Sequence, residues 1–371
     1  NISDGGGTLT VSNIEIINAE DTDSASVITL HAAITGGSVS LGYGTGDKLT
    51  LGSYVNTLSI QGIETVTGGR SADTVHVQGK MTQGLIDLGA GNDTLNLSAA
   101  TAAVSITVAN VETVTGSSYA DMITVTGDQT GSLINLGGGG DTLLINANVT
   151  VTVANAETIT GASGDDTVFL GAVAVGAAIN LGTGSDTLNM ADFGGTLTVS
   201  NVETILSGDS ADVVTVATAL TGGLFTLGDG NDTLTLAAFV NTLTIDGVET
   251  LVGGKSSDVI SVVGTLESGS YNLGTGFDKL DFSGATSDVT VNISGVETVT
   301  GSAFADTITV TSDQTKMEVD LGLGQDTLVL NGNVTVTVSN TETITGGASA
   351  QNVVLLDAYV GEIDLGLGND K

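Results

Sequence analysis

The chain has 371 residues, with 42 acidic against 7 basic side chains, a formal net charge of -35, 54 glycines, and no proline, cysteine or tryptophan. With 3% aromatics and a 40% hydrophobic fraction that is mostly Val, Leu, Ile and Ala, a conventional enzyme core is excluded, and disulfides cannot hold the fold. The charge repels nucleic acid and anionic membrane, makes metal cations the natural partners, and accompanies too many β-branched residues for a disordered acidic chain.

In chain order, the first elements expected are short strands with period-two alternation, such as 8–12, 123–125 and 142–145, separated by Gly/Asp turns. No helical stripe interrupts them. No run of 18 apolar residues suggests a membrane span, and no basic stretch before an apolar run suggests a signal peptide.

The turns repeat. Leu-Gly-x-Gly-x-Asp-(Thr/Lys)-Leu begins at Leu88, Leu136, Leu181, Leu227, Leu273 and Leu321, with altered copies at Leu41 and Leu365. Between them recurs Val-Glu-Thr followed by a Gly-rich turn and an Asp, as in Val111 to Asp121. The second-element Asp lies 9 residues after its Glu (Glu64 to Asp73, Glu112 to Asp121) and 20 before the next Leu-Gly-x-Gly Asp (Asp73 to Asp93). All length variation falls between that Asp and the next Glu, with gaps of 16 to 19 residues, as at a surface loop.

A longer period of 185 residues is superposed: Val55 to Leu58 matches Val240 to Leu243, and Asn148 to Val153 matches Asn333 to Val338. The chain therefore reads as one continuous solenoid of eight repeats of about 46 residues, in four-repeat blocks 1–186 and 187–371. Joining Asp370 to Glu15 through Asn1 gives a gap of 16 residues, inside the observed range, so the chain is expected to belong to a longer array or to stack head to tail.

The fold expected is all-β: a parallel β-solenoid, with two turns per repeat and sixteen in all. Leu, Val and Ile would face inward and Thr, Ser and Asn outward, in a rod of roughly 75 Å. Identical positions then stack, and the repeated aspartates form ladders of like charge that seven cationic side chains cannot neutralise. Calcium, which takes six to eight hard oxygen ligands, is the simplest counter-charge. The candidate ligands are Asp47, Asp93, Asp141, Asp186, Asp232, Asp278, Asp326 and Asp370 of the first element, and Asp73, Asp121, Asp166, Asp212, Asp258 and Asp306 of the second. Backbone carbonyls would come from Gly89, Gly91, Gly137, Gly139, Gly182, Gly184, Gly228, Gly230, Gly274, Gly276, Gly322 and Gly324. The glutamates Glu64, Glu112, Glu157, Glu203, Glu249 and Glu297 form a further ladder, either ligands or solvated groups. Ser26 and Gln351 stand where an Asp is expected, and Gly46 lengthens the turn before Asp47.

Gly89 to Leu95 and Gly228 to Leu234 resemble the calcium-binding nonapeptide of the RTX (repeat-in-toxin) family, Gly-Gly-x-Gly-x-Asp-x-apolar-x. The nonapeptides here are not in tandem and most copies lack the first Gly. The resemblance implies a parallel β-roll with calcium between turns, and type I secretion of an unfolded chain that folds on meeting extracellular calcium. The looser Ala-Asp turn is similar to units of bacterial surface-layer proteins and large adhesins.

Catalysis is not expected. His31 and His76 fall in strand-like sequence, no His/Cys cluster could hold zinc, and no Gly-x-Ser-x-Gly elbow is present. The expected function is a calcium-stabilised extracellular building unit of a surface layer, filament or adhesin stalk, with itself and cell-surface polysaccharide as partners. One alternative is ice or crystal-surface binding through a flat ladder of Thr-x-Thr pairs (Thr8/Thr10, Thr150/Thr152, Thr196/Thr198, Thr242/Thr244, Thr335/Thr337). Another is an RTX-like tail of a secreted polysaccharide-acting enzyme.

Overall fold

A computed structural model describes residues 6–19, 24–42, 44–356 and 358–371. Asn1, where the head-to-tail junction is expected, lies outside them. The described residues form 39 short strands and no helix. In Asp73–Val77 the alternation is plain: Asp73, Val75 and Val77 are buried, while Thr74 and His76 face out. Each strand pairs in parallel with the strand two ahead of it, so successive strands alternate between two sheets and the chain coils as a parallel β-solenoid. Val, Leu and Ile from both sheets fill the space between them, and each fully buried side chain contributes about 1.5–3 kcal/mol.

The chain divides into two compact units, Asn1–Asp186 and Thr187–Lys371. In the first unit, Thr57, Thr74, Thr94, Thr113 and Leu133 are register partners in successive turns of one sheet. The opposite sheet runs through Ser105, Met122, Thr142, Thr158 and Ala178. In the second unit the corresponding series are Val213, Thr233, Thr250 and Ser270, and Val259, Lys279, Thr298 and Glu318. The second unit has the bulkiest core: Phe225 is fully buried, Tyr271 stacks on Phe282 with ring centroids 6.2 Å apart, and the Tyr271 hydroxyl donates to the Val248 carbonyl at 2.7 Å.

Two expectations are corrected here. A repeat holds five strands, two and a half turns instead of two: from Asp93 to Asp141 the chain passes through Thr94–Asn96, Ser105–Ala109, Thr113–Thr115, Met122–Val125 and Gln129–Asn135. Consecutive repeats therefore present their motif on opposite sheets, and 39 strands at two per turn exceed the sixteen turns expected. The Thr-x-Thr pairs stack only in part: Thr150 lies between Thr130 and Thr167, but the second member of the pair does not continue the ladder. Thr152 lies between Leu133 and Phe169, and Thr337 between Glu318 and Val354, because neighbouring turns come from different parts of the repeat.

Candidate functional site

In each of the six full copies the Leu-Gly-x-Gly-x-Asp aspartate stands two residues before an inward Leu, and alternation places it on the inward row; Asp370 is only half-buried. Asp93, Leu95 and Leu97 are all completely buried, as are Asp141, Leu143 and Ile145. The glycines make this possible. Gly137, at φ 91°, takes a left-handed conformation directly against the Ser117 carbonyl of the preceding turn. Gly89, Gly182, Gly228, Gly274 and Gly322 take the same place against their own preceding turns. The second glycine lies beside the carboxylate: a Cβ on Gly91 would sit 2.9 Å from Asp93 Oδ1, and one on Gly324 2.7 Å from Asp326 Oδ1. Gly230 and Gly276 flank Asp232 and Asp278 likewise. Gly139 and Gly184, at the same sequence position, lie against the backbone of the preceding turn.

The two-and-a-half-turn repeat brings the three acidic elements together. Asp73, Asp93 and Glu112 occupy three successive turns of one sheet; Asp121, Asp141 and Glu157 do the same on the other. Each carboxylate accepts the backbone N–H of the acid before it, Asp73 N to Asp93 Oδ1 at 2.6 Å and Asp93 N to Glu112 Oε2 at 2.7 Å. Asp212–Asp232–Glu249, Asp258–Asp278–Glu297 and Asp306–Asp326–Glu342 repeat the arrangement. Asp166 and Asp186 are linked in the same way at 2.8 Å. The expected continuous ladders are thus short columns of three, each preceded by a neutral residue (Asn56, Val104, Gly195, Asn241 or Val289) that donates its N–H to the first Asp. Nor do the glutamates stack on one another: each closes a column from its half-exposed side. Ser26 and Gln351 do take the Asp place, donating to Asp47 and Asp370.

The middle carboxylates are under the most electrostatic stress. Asp47, Asp93, Asp141, Asp232, Asp278 and Asp326 use one oxygen on the preceding turn, while the other, fully buried, meets no donor. Burial pushes Asp93, Asp278 and Asp326 up to about 6 and Asp232 up to about 7. The backbone hydrogen bond opposes the shift and the neighbouring acids reinforce it. Asp47 and Asp141 are raised for the same reasons. The cations do not relieve this: Lys279 and Asp281, on the outer face, form the one ion pair among the described residues, at 3.8 Å.

These donors suit a hard cation in kind, being buried carboxylate oxygens in a glycine-lined turn. They stack instead of converging. Among the described residues no group of three acidic or histidine side chains meets at one point, so backbone oxygens would have to complete any shell. Not every candidate aspartate is alike. Asp121 accepts from the Val104 N–H (2.9 Å), the Ser117 N–H (2.7 Å) and the Ser117 hydroxyl (3.0 Å), and Asp306 has the same set from Val289 and Ser302. Asp212 is bonded by the Ser207 hydroxyl. Asp73 and Asp258 take the side-chain amides of Asn56 and Asn241.

No family model, curated protein or solved structure matches this chain. The RTX resemblance rests on the turn residues themselves. Sequence reasoning missed Asn56, Asn241, Ser117 and Ser302, which nothing but their distance from the aspartate marks out.

Proposed function

We propose that the chain is a calcium-stabilised structural solenoid, secreted and used as a building unit of an extracellular layer, filament or adhesin stalk. One observation carries the reading: the middle aspartate of each described column buries an oxygen with no partner, an arrangement that a proton or a cation must neutralise. At extracellular pH a divalent cation supplies that charge without protonation. Calcium fits the hard-oxygen donors, and binding free energy of this kind is folding free energy. Association with itself, head to tail or laterally, and display on a cell-surface polysaccharide belong to the same proposal, since alternate repeats present the same motif on the same sheet. Calcium titration of chelator-treated protein, followed by circular dichroism and by imaging of the material, tests it. β-structure and assemblies should appear together as calcium is added, and a chain equally folded and equally assembled in chelator refutes the calcium claim.

A further inference from the structure

We infer that the turns at Asp121 and Asp306 are closed by protein groups alone and remain folded when cation is withdrawn, one such turn in each unit. The inference rests on the calcium reading and divides its sites into two kinds. At Asp121 both oxygens are occupied, by Val104 N–H, Ser117 N–H and Ser117 hydroxyl, and the Ser117 oxygen in turn accepts the Tyr119 N–H at 3.1 Å. Asp306 repeats this with Val289, Ser302 and the Phe304 N–H at 3.0 Å. The serine is almost completely buried in both turns, so these bonds are shielded from water. Gly69 and Gly254 stand four residues before Asp73 and Asp258, where the serines stand in the other turns, and have no hydroxyl to give. The second oxygen of Asp73 and of Asp258 accordingly has no hydroxyl partner, and apart from Asn56 or Asn241 only the Gly69 or Gly254 N–H lies near the carboxylate. A Cβ on Gly254 would come within 2.8 Å of Ala238, and one on Gly69 would run into the Gly52 carbonyl, so these turns have no room for a serine.

Hydrogen exchange on the full chain, with calcium chloride or with chelator, tests this. On moving to chelator, segments 104–125 and 289–310 should keep their protection within about threefold, while the equivalent segments 56–77 and 241–262 lose more than about tenfold, the size expected from one charged hydrogen bond. Equal loss in all four segments overturns this inference and leaves the calcium reading standing; no loss in any of them overturns the calcium reading, and this inference with it. Ser117→Ala should remove the residual protection of 104–125 in chelator and spare 289–310, Ser302→Ala should do the reverse, and Ser117→Thr, which keeps the hydroxyl, should retain protection. Protection unchanged in both alanine variants also overturns the inference.

Discussion

Replacing Asp232 by Asn should make the chelator-treated protein more stable at pH 8. Asp232 has no exposed surface, accepts the Asp212 N–H at 2.7 Å on one oxygen, buries the other without a donor, and is pushed up to about 7 from 3.8. A carboxyl whose folded-state pKa lies above its unfolded value contributes fully below about pH 4 and loses that contribution as pH rises towards 7. The shift corresponds to about 4 kcal/mol at 1.36 kcal/mol per unit. Solvent screening reduces this to roughly 2 kcal/mol. The amide keeps the acceptor and has no charge to bury, as Asn56 and Asn241 do at the same register position. Urea unfolding in chelator at pH 5 and pH 8, followed by circular dichroism, should show the parent losing about 1 kcal/mol more than Asp232→Asn between the two pH values, the share of the contribution that is lost above pH 5. The general repulsion of the acidic chain is nearly common to both proteins and cancels in the difference. Parallel losses would show that the buried oxygen carries no charge penalty, and the reasoning about all the middle aspartates would fall with it.

Three further outcomes are expected. Gly137→Ala should destabilise the first unit by about 2 kcal/mol or more, read from urea unfolding, because φ 91° and the adjoining Ser117 carbonyl both exclude a Cβ. Tyr271→Phe should cost about 1–2 kcal/mol through the unpaired Val248 carbonyl, with ring packing retained, and an unchanged melting temperature would contradict it. Lys316→Gly should stabilise the second unit by about 1 kcal/mol in the same assay, since Lys316 has φ 70° at a bulge where the first unit places Gly131.

The all-β class, the inward Val/Leu/Ile row and the Gly/Asp turns were legible because alternation and turn chemistry are local. The position of the aspartates was legible too: Asp93, Leu95 and Leu97 are separated by two residues each, and that parity alone puts the carboxylate inside. The number of turns was not. Only some corners carry a Gly/Asp signature, and the corner at 98–104, rich in Ala, looks like a loop within a turn although it joins the two sheets. Counting signatures gave two turns where there are two and a half. The columns were hidden by the same half turn, since Glu112 becomes a neighbour of Asp93 only when their strands fall on one sheet. Ser117 was illegible for another reason: its buried hydroxyl differs from other serines in the chain only by what the fold sets four residues later.

The odd number of strands per repeat has a consequence for how such a gene can grow or shrink. Losing one repeat between Asp93 and Asp141 would leave every hydrogen-bonded column able to re-form, since the coil continues with the same alternation, yet it would carry every later outward-facing side chain of that unit to the opposite face. Losing two would shorten the coil by five whole turns and leave each face as it was. A surface that must stay on one side therefore restricts recombination to pairs of repeats, while the core alone would accept any number.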